Sequence, residues 1–339
     1  MAESGTRSGV IAGGNWIVDQ VKMIDAWPEQ DALASIGEEF RANGGAPYNL
    51  LKDLARLGAT YPLEGIGLVG DDDFGRWIRD DCRVHRIDTA QLRVEPDAPT
   101  SFTDVMTVTA TGRRTFFHQR GANARLAPSD FDFSRTRARF FHLGYLMLLD
   151  TLDRPGPDGR PAACAVLEAA SRAGLLTSVD LVSAEIGAFT QVVGPVLPLV
   201  DYLFLNDFEA ARVTGLTLRG KSLDAEKVRA AAEILRRGGV RRAVFIHFPE
   251  GACCCDDEGT LLWQPSVDVA PADIRGAAGA GDAFAAGVLH ALHEGRPMGD
   301  ALLLGVAVAA SSLSDPTCSG GILDERQCIE RAHRAGFKR

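Results

Sequence analysis

The sequence predicts an α/β protein in which a mostly parallel sheet carries helices on both faces. Two observations lead there. From about residue 139 onward, short β-branched and aromatic runs alternate with longer segments of helical period, the pattern that parallel crossovers require. The stretch 99–118 instead alternates residue by residue around Ala110-Thr111-Gly112 and reads as a β-hairpin. With 339 residues, 46% of them apolar and 24% charged, the chain is long enough to bury a large core and too apolar for a disordered segment.

The elements follow in order. A first strand covers 9–12 and ends in Gly13-Gly14. After Gly44-Gly45, the leucines at 50, 51, 54 and 57 keep helical spacing up to Gly58, where a helix stops. A strand at 65–70 precedes a helix opened by Asp71-Asp72-Asp73, with Phe74, Trp77, Ile78 and Cys82 on one face. Beyond the hairpin, strands are expected at 139–146, 175–182, 201–206 and 242–248. Helices are expected at 161–174, 207–215 and 224–239. A short antiparallel patch at 252–266 leads into two alanine-rich helices, 281–295 and 298–313.

Charge and cysteines narrow the class. The balance of 36 Lys+Arg against 45 Asp+Glu gives −9, which argues against a nucleic-acid or anionic-membrane surface. No apolar run reaches the ~18 residues of a membrane helix, and the first residues lack the features of a signal peptide. Seven cysteines, three of them consecutive at 253–255, form no disulfide framework and no paired zinc motif. A cytoplasmic, reduced enzyme is expected.

The most informative stretch is Arg275–Leu292. Ala278, Gly279, Ala280 and Gly281 precede Asp282, and an apolar helix begins at once. Small residues let backbone N–H groups approach an anion at a helix N-terminus. Asp282 is then either a general base at that anion site or simply the helix N-cap. The turn lacks the lysine of a P-loop and the spacing of a dinucleotide fingerprint.

Taken with five further segments, this stretch resembles the ribokinase-like carbohydrate kinases, the PfkB family. Gly279–Gly287 is similar to the family's C-terminal signature and Gly44–Gly58 to its N-terminal one. Gly14–Asp19, Gly67–Gly75, Arg120–Asn123 and Asn206–Glu209 match in the expected order, so the resemblance spans about residues 9–330. It implies a ribokinase-like three-layer sandwich with a central mostly parallel sheet and a small β-sheet lid. One kinase domain would cover 1–339, with lid segments at about 16–43 and 99–122.

The implied activity is transfer of the γ-phosphate of ATP to a hydroxyl of a sugar or sugar derivative. Asp282 would be the base, and Gly279, Ala280 and Gly281 the anion hole. Asp19, Gly44, Gly45, Asn49, Arg120 and Asn123 would bind substrate. Asn206 and Glu209 would organise Mg²⁺, and Asn206, Gly251, Gly279 and Gly281 would contact the nucleotide. Each has a plainer reading as well: a cap for Asn49, a solvated helix residue for Glu209, a solvated hairpin arginine for Arg120. An adenosine-type nucleoside kinase and a catalytically silent sugar-binding protein are the alternatives.

Three departures qualify the resemblance. Phe248 stands where relatives have a glycine three residues before Gly251. Gly276-Ala277-Ala278 replaces an Asp-Thr-Thr, which argues against a monovalent-cation site. Ala46 replaces a lysine of some ribose-specific relatives. The resemblance also points to a homodimer formed through the lid, with Val105, Val108 and Phe117 as candidates for the shared face.

Overall fold

A computed structural model describes residues 7–183 and 189–338. Nine strands form the main sheet in the order β13-β12-β11-β10-β9-β8-β1-β4-β5, and four form a smaller one in the order β3-β2-β6-β7. In the main sheet these are β1 (Val10–Gly14), β4 (Leu63–Gly70), β5 (Ile87–Glu95), β8 (Phe140–Leu146), β9 (Leu176–Leu181), β10 (Tyr202–Asn206), β11 (Ala243–Phe248), β12 (Gly251–Asp256) and β13 (Leu261–Pro265). All neighbours pair in parallel except at the β11-β12-β13 edge. The smaller sheet holds β2 (Ile17–Ile24), β3 (Ile36–Gly44), β6 (Phe102–Val108) and β7 (Arg114–Gln119).

The helices are α1 (Ala46–Leu57), α2 (Asp73–Val84), α3 (Asp150–Asp153), α4 (Ala163–Arg172), α5 (Phe189–Val196), α6 (Asp207–Thr214), α7 (Ala225–Arg237), α8 (Ala280–His293), α9 (Met298–Ser312) and α10 (Glu325–Ala335). Residues from α4 to α7 pack one face of the sheet, and residues from α1, α2, α8, α9 and α10 pack the other. Strand alternation divides the core between these layers: Ile11 goes to the first, Val10 and Ala12 to the second. The cysteine run obeys the same rule. Cys253 and Cys255 face α7's layer and Cys254 the opposite one, and all seven cysteines are free and buried. No described helix is long and apolar enough to cross a membrane.

The predicted helix stops and starts hold in detail. Gly58 closes α1 with φ 94°, and Asp72 caps α2 by accepting from the Gly75 N–H. Strands β2, β3 and β5 and helices α5 and α10 were not delimited by periodicity. β3 shows why: its first six residues are exposed or half-exposed on both faces, so no apolar alternation marks it.

The lid-face expectation needs correction. Val105 pairs with Phe116 across β6 and β7, so period-2 alternation puts Val105 on the opposite side from Val108 and Phe117. Val105 is buried beside Val21, whereas Phe117 is exposed and stacks on Trp27 with ring centroids 6.2 Å apart. These three residues do not share a face.

Candidate active site

Strand order reverses at β1: β4 and β5 build to one side, β8 and its successors to the other. In such sheets ligands bind beyond the carboxyl ends of the strands at this switch point. The crossing is held by backbone proximity. Gly14 has φ 132°, and a Cβ there would lie 1.8 Å from the Gly144 carbonyl oxygen; the Asn15 N–H donates to that same oxygen at 2.9 Å. The Asn15 side chain accepts from the Tyr145 N–H at 2.7 Å, tying the end of β8 to β1.

Asp282 lies above this junction, and its side chain is not the cap of its helix. The N-cap of α8 is Gly279, in the left-handed region at φ 72°, with no side-chain cap; Asp282 is the third residue of the helix. Its carboxylate turns inward instead. Oδ2 accepts from the Asn49 amide at 2.7 Å and from the Tyr145 hydroxyl at 2.6 Å, while Oδ1 is buried with no partner. Burial pushes its pKa up to about 6, against the lowering effect of those two donors. One oxygen is held and the other is free to accept a proton.

Three more carboxyl groups converge there. Asp19 is buried under the Cys318 thiol, 3.5 Å from Oδ2, and burial pushes it up to about 7. Gly44 makes room for it, since a Cβ at 44 would stand 2.4 Å from Oδ1 of Asp19. Asp180, at the end of β9, is raised well above the usual carboxylate range by burial and by the charges of Asp282 and Glu209. Glu209 is buried rather than solvated. It closes a capping box with Asn206, accepting from the Asn206 N–H at 2.9 Å and its amide at 2.9 Å, and from the Ser183 hydroxyl at 2.8 Å. Burial lifts it to about 7.

The remaining predicted residues divide. Gly45, Asn49, Asn206, Gly251, Gly279, Ala280 and Gly281 line one cavity of about 850 Å³ with Asp19, Glu209 and Asp282. Its wall runs from the smaller sheet (Ile17, Thr103, Phe116, His118) past Asp282 to Val267, Leu313 and Lys338. Arg120 instead reaches the Leu148 carbonyl at 3.3 Å and Asp150 at 3.2 Å. Asn123 spends its buried amide on the Trp16 backbone, accepting at 3.2 Å and donating at 3.0 Å. Sequence reasoning did not single out Tyr145 or Asp180. Their position at the carboxyl ends of predicted parallel strands was the available signal.

The profile of the pfkB family of carbohydrate kinases matches residues 16–325. The chain belongs to that family. It is therefore a phosphotransferase acting on a hydroxyl of a sugar or sugar derivative with ATP as donor. It is 27% identical over 322 residues to a probable fructokinase-7 of Arabidopsis thaliana, covering 90% of this chain and 87% of that one. It is 29% identical over 281 residues to an ATP-dependent ribose-1-phosphate kinase of Halopiger xanaduensis, covering 83% of each. Its fold superposes on Arabidopsis thaliana ribokinase complexed with ribose and ATP with a TM-score of 0.76, at 21% identity, over 97% of this chain and 99% of that one.

Proposed function

We propose that the family reaction runs here with Asp282 as general base and that the acceptor is an uncharged polyol, a free sugar or a riboside. The supporting observation is the free, buried Oδ1 of Asp282 beside the first turn of α8. A sugar hydroxyl hydrogen-bonded to Oδ1 loses its proton to that oxygen as its own oxygen attacks the γ-phosphorus, and the bond from that phosphorus to the β–γ bridging oxygen breaks to release ADP. The amides of Gly279 and Gly281, at the start of α8 in the same cavity, would meet the charge that develops there, with Ala280, whose N–H leans on the Ala277 carbonyl at 3.5 Å, turning to join them. Asp19 and Asn49 would hold neighbouring hydroxyls, since together they supply donors and acceptors.

The charge at the sugar end favours an uncharged acceptor. Asp19, Asp180 and Asp282 crowd it against a single buried cation, Arg114, whose charge acts on Asp19; His118 is held neutral by a burial-lowered pKa of about 4, and Arg120 is engaged elsewhere. The fructokinase-like reading and the nucleoside-kinase reading both satisfy this; the apolar wall of Ile17, Phe116 and Leu148 suits the ring face of either.

Mg²⁺ fits the donor set. Among the described residues no three His, Cys, Asp or Glu side chains form a cage, and the oxygens of Glu209 are already hydrogen-bonded. Burial raises both Asp180 and Glu209, the Asp282 charge raises both further, and the Glu209 charge adds to Asp180, an excess of negative charge that a hydrated cation relieves. Asp180, Asn206 and Glu209 would hold it through water, and bound there it neutralises phosphate charge. One kinase unit, a location in the cytoplasm and a homodimer formed through the smaller sheet complete the reading.

The test is Asp282→Asn, assayed for ADP release with D-fructose, D-ribose, 2-keto-3-deoxygluconate and adenosine. Turnover should fall by a factor of ~10³ or more with ATP affinity retained. A variant keeping a tenth of wild-type turnover would show that Asp282 only shapes the helix start.

A further inference from the structure

The turn between β11 and β12 has a sequence that does not suit its shape. Phe248 pairs with Gly251, so the hairpin closes over two residues, Pro249 and Glu250. Two-residue loops favour the mirror-image turns, which need φ above zero at the first central residue, because the ordinary types splay the strands. Proline fixes φ at about −65° and excludes both mirror-image types. Glu250 also stays out of the left-handed region. What holds this turn must therefore lie outside it.

Three outside contacts do so. The Ser266 N–H donates to the Glu250 carbonyl at 2.9 Å, and the Lys338 ammonium donates to the Pro249 carbonyl at 2.8 Å. The third comes from Arg219, in the loop between α6 and α7. Its Nη1 and Nη2 donate to the two carboxylate oxygens of Glu250, both at 2.8 Å, and its Nε donates to Oδ2 of Asp207 at 2.7 Å. One guanidinium thus spans two carboxylates. A lone exposed ion pair contributes little, but a bidentate arginine fork within a charged network is the geometry that does contribute. The backbone behind it is fixed. Leu218 is buried in the core, its carbonyl accepts from the Asp224 N–H at 2.9 Å, and Arg219 itself bridges to Leu223.

The two carboxylates belong to different walls of the cavity. Asp207 opens α6 directly after Asn206, and Asn206 and His247 are register partners at the carboxyl ends of β10 and β11. Asp207, Pro249 and Gly251 line the cavity at the end where Asn206 and Gly251 are the proposed nucleotide contacts. Arg219 is not among the described residues of that wall.

We propose that Arg219 is a positioning residue that sets the distance between the first turn of α6 and the Pro249-Glu250 turn, and through it the affinity for the nucleotide. This rests on the reading of that end of the cavity as the nucleotide end. Arg219 acts through Asp207 and Glu250.

The test uses the full chain. Calorimetry gives the affinity for ADP, and initial rates with D-fructose, D-ribose and adenosine give KM for ATP and for the acceptor. Arg219→Met removes both arms and should weaken ADP binding and raise KM for ATP about tenfold, the scale of one charged hydrogen bond. KM for the acceptor should stay within about twofold, because the smaller sheet bounds the other end of the cavity. Arg219→Lys keeps the charge but not the fork, and should recover less than half of the loss. Adding Glu250→Gln to Arg219→Met should cost nothing further, since the contact is already gone.

Wild-type ADP affinity in Arg219→Met overturns the proposal. So does recovery of most of the loss in Arg219→Lys, which would leave only a charge acting at a distance. Should Arg219→Met fail to fold, Arg219→Lys and Glu250→Gln decide it, and wild-type ADP affinity in both overturns it. Hydrogen–deuterium exchange of the wild-type chain tests the nucleotide end separately. ADP should slow exchange at 206–210 and 248–252. No slowing at either stretch would overturn the assignment of that end, and the proposal with it; slowing at both, with unchanged affinity in the variants, would overturn the proposal alone.

Discussion

The hydroxyl of Tyr145 and Oδ2 of Asp282 lie 2.6 Å apart, so a residue at the end of β8 holds the carboxylate at the start of α8. The contact joins two elements far apart in sequence across the strand-order switch. Tyr145 is half-buried at the cavity wall, with its own pKa driven up by burial and by the Asp282 charge, so it stays a donor throughout the working pH range.

Tyr145→Phe should therefore shift the acid limb of kcat/KM toward higher pH. The hydroxyl stabilises the ionised carboxylate and lowers its pKa; removing it raises the pKa, and activity needs the ionised form. A hydrogen bond to a charged group contributes ~1.5–3 kcal/mol, so a shift of about one unit from near pH 6 is expected. An acid limb that stays in place would mean that Tyr145 only fills space.

Glu209→Gln tests the acidic cluster in two ways. The Mg²⁺ concentration for half-maximal rate should rise, with a smaller effect on sugar KM. Stability should respond as well. The folded pKa of Glu209, about 7, lies above the ordinary 4.5 of a glutamate, so ionising it costs folding free energy once pH exceeds the unfolded pKa. Gln still accepts from Asn206 but carries no charge. Its Tm should exceed that of wild type at pH 8 and match it near pH 4, measured without nucleotide. Equal Tm values at both pH values would contradict a strained buried charge.

Much of this organisation was legible in the sequence, because turns and helix ends are local. Gly58, Asp72 and Gly279 do in the structure what their residue types require. The Glu209 carboxylate shows the limit. Capping Asn206 is local and readable, but its burial depends on Ser183 and β10, so a solvated residue and a buried one look alike in the chain. Tyr145 was hidden for the same reason: it matters through Asp282, more than 100 residues away.

Potassium should change activity little when replaced by a large organic cation. Gly276 stands where many relatives have an aspartate, and here a Cβ would lie 2.8 Å from the Asp315 carbonyl oxygen. The Asp315 side chain is spent on Thr317, whose N–H it accepts at 2.9 Å and whose hydroxyl at 2.6 Å. Both contacts use Oδ1 of Asp315, and the loop has no room for a side chain at 276. Strong activation by K⁺ would show that backbone carbonyls alone suffice.

The smaller sheet bears on assembly. Four strands with two solvent-accessible faces are marginal unless one face is covered. The side carrying Lys22 and Asp104 has their ion pair; on the other, Val21 and Val105 are already buried within the chain while Phe116 stays exposed. Phe116 is 56% exposed at the edge of the cavity, a costly position for a ring in a monomer. A second copy related by a two-fold axis would cover this face, and the expected species in sedimentation at micromolar concentration is therefore a dimer of the 36.2 kDa chain. Phe116→Asp should then shift the dimer toward monomer and raise sugar KM, because the same ring borders the sugar end of the cavity. Phe117→Asp, on the opposite face against Trp27, should leave the dimer intact. A wild-type chain that sediments only as a monomer would remove the shared face and strengthen the nucleoside-kinase reading over the free-sugar one.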